Sequence, residues 1–209
     1  SRISTELRVV VAVGGLLLLA AVAAFLAPIL GVRHTQSHSQ GSTVTSSQRY
    51  ANMPLTEVDL ILSTSVAAAL FLDFLLVTMV IPILPALLPH DPLRAGILFA
   101  AKPLCQMLFN PLFGASGLPH ATMLRAGTLL GGACAFAQGL ARGYRGLLAA
   151  RALSGAASAG VMTGGMSLLL SSHAEGVRAQ AVARALLGLT LGVSLGPVWG
   201  GVVFDASGS

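Results

Sequence analysis

The fold is decided by residues 66–88, which read VAAALFLDFLLVTMVIPILPALL. This stretch is long and apolar enough to cross a lipid bilayer as one helix. Asp73 is its only charged side chain. A carboxylate inside a membrane-spanning helix is costly, and such residues usually face a protein interior or a water-filled cavity where they serve a function. Asp73 therefore indicates a membrane protein that moves an ion or a small molecule.

The composition of the whole chain supports this interpretation. Of its 209 residues, 55% are hydrophobic and only 9% are charged, whereas a soluble domain carries about 25% charged residues. So few charges could not cover a globular surface, and we expect an all-α integral membrane protein. The formal charge of +5 comes from basic residues spread over several loops. That distribution is typical of charges that flank membrane spans and indicates no nucleic-acid partner.

Six apolar segments divide the chain, and each is predicted to form a helix because backbone groups in lipid must pair internally. They lie at about residues 9–32, 60–88, 95–118, 122–140, 147–170 and 181–204. The short loops between the last five predict that sequential helices are antiparallel neighbours. We assign residues 1–33 to an extra hydrophobic segment that is a transmembrane helix or anchor. Residues 34–59 form a polar flexible linker, and residues 60–209 form a domain of five transmembrane helices.

Three charged residues fall inside the predicted helices, namely Asp73, Lys102 and Arg151. Intramembrane ions normally pair or face a cavity, so we expect a polar cavity in which Asp73 binds a cationic substrate, a proton or a neighbouring cation. The alternative is an Asp–Lys or Asp–Arg pair that only fixes packing, but a buried ion pair contributes little stability. We therefore interpret the three residues as a substrate- or proton-binding site.

The sequence nominates no catalytic, cofactor or metal site. It lacks a His-Glu-x-x-His motif, a nucleophile elbow and a Walker loop, so we expect neither an enzyme nor a cofactor. His34 and His38 have the i, i+4 spacing of metal ligands on a helix, but they lie in the Ser- and Gln-rich linker. We interpret them as solvated side chains.

Prolines and glycines suggest where helices bend and pack. Pro82 and Pro85 are predicted to kink the second half of the helix that carries Asp73. The pair Gly196-Pro197 is predicted to interrupt the last helix in its middle. Glycines spaced by four let helix backbones approach closely, with bending during transport as a further role. They are Gly188, Gly192, Gly196 and Gly200.

Four motifs, in chain order, resemble those of the vesicular amine transporters, a branch of the major facilitator superfamily. Residues 72–85, LDFLLVTMVIPILP, resemble the first helix of that branch, and residues 96–114 resemble the second. The stretch ARALSG at 150–155 is similar to the arginine-containing motif of the fourth helix. The stretch GVSLGPVWGG at 192–201 is similar to the antiporter motif of the fifth.

This resemblance implies helices 1–5 of the N-terminal bundle of a facilitator, preceded by one extra hydrophobic helix. It implies proton-coupled antiport of a cationic amine, of the monoamine, acetylcholine or polyamine type, into an acidic compartment. Asp73 and Lys102 would lie in the charge network of the central cavity, Arg151 would couple protons, and the Gly-Pro helix would change conformation. The implied location is an intracellular vesicle membrane, with the plasma membrane as the alternative.

The chain departs from the family pattern at several positions. Phe74 stands where the family has Asn, Ser154 stands where it has Gln, and residues 114–120 lack the Asp and Arg of the superfamily's loop. The chain begins with Ser1 and stops just after an apolar run, so we expect a truncated piece that lacks the C-terminal half and cannot transport alone. Two alternatives stay open, a multidrug/proton efflux transporter of the same superfamily and a truncated membrane protein that does not transport.

Overall fold

The computed structural model describes residues 57–82, 91–141 and 143–206. These residues form five helices and no strand, which confirms the all-α prediction. The helices are α1 (Glu57–Met79), α2 (Pro92–Ala115), α3 (His120–Leu140), α4 (Tyr144–Ser172) and α5 (Glu175–Ala206). Helix α1 begins inside the predicted linker, so residues 57–59 are helical. The predicted hydrophobic segment at 1–33, the rest of the linker and both His34 and His38 lie outside the described residues.

Four of the five helices, α1, α2, α4 and α5, are long and apolar enough to cross a membrane. Helix α3 has 21 residues but is not one of these four, because its glycines and polar side chains lower its hydropathy. Its glycines serve close packing against α4, since a Cβ at Gly127 would lie 2.7 Å from the backbone nitrogen of Val161. The described part of the chain is therefore a multi-pass helical bundle, in which α3 is stabilised by its close packing against α4.

Helix α4 is the centre of the bundle. It packs between α2 and α3, while α1 packs along α5, and α4 also contacts both α1 and α5. The buried apolar core joins side chains of α1, α3, α4 and α5, among them Val66, Leu70, Leu124, Leu169 and Ala185. Helices that exclude lipid from this core gain dispersion contacts along their whole length.

The order of packing differs from the order of the chain at two connections, because neither α1 and α2 nor α2 and α3 pack along their lengths. Residues 116–119 join α2 to α3, yet these helices do not pack along their lengths, and α2 packs on α4 instead. The prediction that all sequential helices are neighbours is therefore wrong for α1–α2 and for α2–α3. A short loop fixes only the helix ends, whereas small residues on α4 allow a closer approach. A Cβ at Gly155 would collide with the Lys102 carbonyl oxygen and lie 2.8 Å from the Cβ of Cys105.

The glycine stripe of α5 faces α1. A Cβ at Gly188 would collide with the carbonyl oxygen of Ala67, and one at Gly192 would collide with that of Phe71. The stripe continues at Gly196 and Gly200, where a Cβ would meet the Thr78 hydroxyl and the Met79 carbonyl oxygen, respectively. The two backbones thus approach more closely than any larger residue would allow. Whether this interface also bends during transport stays a prediction.

The prolines behave differently from the prediction. Helix α1 ends at Met79, and Pro82 lies in a following turn in which Ile81 N–H donates to the Thr78 carbonyl oxygen at 3.1 Å. Pro82 therefore does not kink the helix interior, because proline disfavours helical geometry in the residue before it. Pro85 lies outside the described residues. Pro197 lies inside α5, which is continuous from Glu175 to Ala206, so the predicted interruption is wrong. In lipid, continuing the helix satisfies every backbone group except the acceptor that proline leaves free.

A buried histidine in the α4–α5 connection contacts the start of α1. The His173 side chain is fully buried, with Nδ1 3.0 Å from the Leu169 carbonyl oxygen and Nε2 3.3 Å from that of Asp59. Arg178 Nε donates to the His173 carbonyl oxygen at 2.9 Å. Three helices are thus connected at one end of the bundle through a residue that the sequence did not single out.

Candidate functional site

Asp73 lies at the meeting point of α1, α2 and α4. Its Oδ1 accepts a hydrogen bond from Lys102 Nζ of α2 at 2.9 Å and another from Ser158 Oγ of α4 at 2.6 Å. The two charged side chains are only 13% and 7% exposed. The bonds to Asp73 are charge-assisted, so they are shorter and stronger than bonds between neutral groups. Asp73 is thus held at a fixed position by the two neighbouring helices.

The local sequence of α4 explains why these groups meet. Gly155 lets the α2 backbone approach at Lys102, and Ser158 lies one turn further along the same helix. Residues at i, i+3 and i+7 share a helix face, and Arg151, Ser154 and Ser158 follow this spacing. All three are buried. Helix α4 therefore presents a polar stripe to the interior of the bundle.

The second oxygen of Asp73 has a different environment. Both hydrogen bonds to this carboxylate reach Oδ1, and within the described residues Oδ2 accepts none. An ionised carboxylate can accept about four hydrogen bonds. Asp73 therefore keeps acceptor capacity for a proton, a water molecule or a cation while it remains paired with Lys102.

Arg151 lies close to this pair but is not bonded to it. It is 2% exposed, and its Nε donates to the backbone oxygen of Leu98 in α2 at 3.1 Å. Its Nη2 atom is buried and has no hydrogen-bond partner among the described residues. The structure thus pairs Asp73 with Lys102, whereas the sequence left either cation open as the partner.

A small cavity joins the three charged residues. Its volume is about 40 Å³, which is room for one or two water molecules. It is lined by Asp73, Lys102, Arg151, Ser154, Gln138 and apolar groups of α1 and α3. The cavity can therefore hold a proton-carrying water or a monoatomic ion beside Asp73.

Sequence reasoning missed two polar residues of the site, Ser158 and Gln138. A signal for Ser158 exists in its spacing from Arg151, which places both on one helix face. Hydroxyls inside helices commonly bond their own backbone, as Ser154 Oγ does with the Arg151 carbonyl oxygen at 2.7 Å. A serine that bonds across helices is therefore not distinguishable by residue type alone.

The remaining predicted site residues do not reach this cavity. Gly188, Gly192, Gly196 and Gly200 lie at the α1–α5 contact. Thr78 of α1 adds a hydrogen bond across that contact, in which its Oγ1 donates to the Gly192 carbonyl oxygen at 3.2 Å. Their predicted part in a conformational change stays a prediction, as does that of Pro82, Pro85 and Pro197.

Comparison with known proteins identifies several relatives, although no family model matches the chain. A probable vesicular acetylcholine transporter-A of Danio rerio is 29% identical over 171 residues, covering 68% of this chain and 33% of the relative. A probable vesicular acetylcholine transporter-B of the same species is 30% identical, covering 68% and 32%. The synaptic vesicular amine transporter of Bos taurus is 31% identical, covering 57% and 24%.

These relatives are transporters by name and not enzymes, in agreement with the expectation that the chain is no enzyme. The chain spans about a third of the length of the first two relatives. The similarity supports the resemblance that its motifs carry. Over two thirds of its own length, this membrane-spanning chain is similar to part of the vesicular acetylcholine and amine transporters.

Proposed function

We propose that this chain forms one helical wall of a transporter that exchanges protons for small cationic amines across an intracellular vesicle membrane. One observation carries the proposal: a carboxylate, Asp73, is held in the interior of the bundle by Lys102 and Ser158. The names of the relatives support transport of acetylcholine or another amine. Because the chain spans about a third of these relatives, transport is proposed only for a protein that supplies a second wall.

The charges at Asp73 support an exchange mechanism. One carboxylate can neutralise Lys102, a proton or an amine, but it cannot fully neutralise two cations at once. Binding of a proton at Oδ2 removes the negative charge and weakens the attraction for a cationic substrate. Loss of that proton restores the attraction. Proton and amine therefore compete for Asp73, and competition for one site is sufficient to couple their movements in opposite directions.

Lys102 and Arg151 are the two cationic side chains near Asp73 during this competition. Both cations attract the ionised carboxylate electrostatically. In the proposed mechanism Arg151 acts from a distance, because it bonds the Leu98 carbonyl oxygen and not Asp73. The amine substrate would reach Asp73 through the cavity that this residue lines together with Lys102 and Arg151.

The test is uptake of radiolabelled serotonin, acetylcholine and spermidine into acidified vesicles that contain the full-length protein. Asp73→Asn keeps the shape of the side chain and removes its charge. We expect amine accumulation to fall to background while the amount of protein in the membrane is unchanged. The matched control is Asp91→Asn, which alters the carboxylate that caps α2 by accepting from Arg94 N–H at 3.0 Å.

Three outcomes would contradict the proposal. Unchanged uptake by Asp73→Asn would remove this carboxylate from the mechanism. If the wild type accumulates none of the three amines but exports lipophilic cations in exchange for protons, the protein is a multidrug efflux transporter. The absence of both activities in the full-length protein would favour a membrane protein that does not transport.

A further inference from the structure

The imidazole of His173 is enclosed by oxygen atoms of two helices. Its side chain is fully buried, and Nδ1 lies 3.0 Å from the Leu169 carbonyl oxygen of α4. On the other side of the ring, Nε2 lies 3.3 Å from the Asp59 carbonyl oxygen of α1 and 3.7 Å from the Asp59 carboxylate. Both ring nitrogens therefore face atoms that can only accept a hydrogen bond.

This environment distinguishes the two charge states of the ring. A neutral imidazole donates through one nitrogen and presents a lone pair at the other. Whichever tautomer forms, one lone pair then faces a carbonyl oxygen, and that contact is repulsive. The imidazolium donates through both nitrogens, so it alone can bond Leu169 and Asp59 at the same time. The geometry therefore fits the charged form of His173 better than the neutral form.

Burial of the ring opposes this charge, because the imidazolium loses its hydration. The Asp59 carboxylate offsets that loss, since an opposite charge within about 4–6 Å favours the charged form. Arg178 of α5 is a cation of the same contact, but it bonds the backbone oxygen of His173 at 2.9 Å and not the ring. Arg178 is exposed, and solvent weakens its repulsion of the imidazolium.

Other titratable and charged side chains at this end of the bundle belong to α1, α3 and α5, because α4 has none after Arg151. They are Glu57 in α1, His120 and Arg125 in α3, and Glu175 in α5. Carboxylates and arginines ordinarily keep their charges between about pH 5 and pH 8, the range in which histidine changes its own. His173 is therefore the side chain through which pH in this range can act on the contact.

We propose that His173 and Asp59 form a proton-dependent contact that holds the start of α1 against the α4–α5 connection. With the proton bound, the ring donates to both carbonyl oxygens and attracts the Asp59 carboxylate. Loss of the proton to water removes one of these hydrogen bonds and the attraction, so the start of α1 separates more easily. Solvent reaches the ring when the contact opens locally, as connections between helices do in native proteins.

The inference does not depend on the proposed transport of amines, because its test measures stability and needs no substrate. The test compares thermal unfolding of the purified full-length protein at about pH 5.5 and about pH 7.5. The imidazolium is present at the lower pH, and its contribution to stability is lost as the pH rises through the histidine range. We therefore expect this contact to lower the wild-type midpoint at the higher pH.

The variant His173→Gln keeps an amide that can donate to the same carbonyl oxygens but cannot gain a charge. Its unfolding midpoint should fall by about 2–4 °C less than the wild-type midpoint between the two pH values. The matched control is His120→Gln, which removes the other histidine of the described residues and should keep the wild-type pH dependence.

If His173→Gln does not fold, Asp59→Asn tests the same contact from α1. It removes the carboxylate, whose side chain is 25% exposed, and keeps the backbone carbonyl oxygen that faces Nε2. The pH dependence of its midpoint should also be smaller than that of the wild type. A pH dependence equal to the wild type in both variants would overturn the proposal. So would a wild-type midpoint that rises with pH through His173, because the buried ring would then be neutral.

Discussion

Replacing Lys102 by methionine tests the buried ion pair through stability alone. Methionine keeps the length of the apolar stem and removes the ammonium group, which leaves Asp73 with one hydrogen bond, from Ser158. Breaking a buried pair by removing one partner costs about 3–5 kcal/mol, because the other charge remains uncompensated. We therefore expect Lys102→Met to lower the free energy of unfolding by about 4 kcal/mol.

The double variant Lys102→Met/Asp73→Asn distinguishes pairing from simple loss of contacts. Asparagine keeps an oxygen that can accept from Ser158, and neither remaining side chain is charged. Because no uncompensated charge remains at this pair, the double variant should be more stable than Lys102→Met. Non-additivity of this kind is the signature of two residues that interact directly.

The assay is thermal unfolding of the purified full-length protein, followed by the fraction that remains monodisperse after heating. We expect Lys102→Met to lower the midpoint on the order of 10 °C and the double variant to recover much of that loss. The control is Arg94→Met, which breaks the 2.9 Å pair with Asp91 on the same helix. That pair is exposed to solvent and should contribute less than about 1 kcal/mol. Equal losses in Lys102→Met and Arg94→Met, or additive losses in the double variant, would refute the reasoning.

Two further predictions concern packing and the end of the bundle. Gly192→Ala should cost about 1–3 kcal/mol, because its Cβ would collide with the Phe71 carbonyl oxygen. Gly201→Ala, with open space at its Cβ, should be neutral or stabilising in the same unfolding assay, and the reverse order would contradict the close contact. His173→Leu should lower the free energy of unfolding by about 1 kcal/mol, because it removes the polar side-chain contacts to the carbonyl oxygens of Leu169 and Asp59. Faster proteolysis of native protein at the α4–α5 connection should report this loss. An unchanged unfolding midpoint and unchanged cleavage would show that His173 does not stabilise the contact between the α4–α5 connection and α1.

The charged residues of the site could be predicted because placing a charged side chain inside a membrane-spanning segment costs free energy. In an apolar segment, Asp73, Lys102 and Arg151 stand out by residue type alone, and the cost of an intramembrane charge favours a shared environment for the three. The five helices follow from the same physics, since apolar length and internal backbone pairing allow little else.

The pairing within the site could not be predicted, because it depends on how helices pack. Helix α4 approaches α2 through Gly155, which puts Lys102 and not Arg151 beside Asp73. Sequence spacing cannot tell this glycine from others that also have close neighbours. The same limit explains two other wrong predictions. Contacts between helices outweigh the length of the connecting loop in deciding which helices pack together, and they outweigh the single hydrogen bond that Pro197 removes from α5.

In the proposed mechanism, the two oxygens of Asp73 would let a stable ion pair also act as an exchange site. Oδ1 holds Lys102 and Ser158, which fixes the carboxylate even when no ligand is bound. Oδ2, without a partner among the described residues, can take up a proton and so change the charge while the Ser158 bond is kept. Coupling then needs no large displacement of Asp73, since the protonation of one oxygen alters the attraction that the other exerts on Lys102. We expect this change in charge to alter how α1 packs against α2. The close glycine contact between α1 and α5 is the interface through which a movement of α1 would then reach α5.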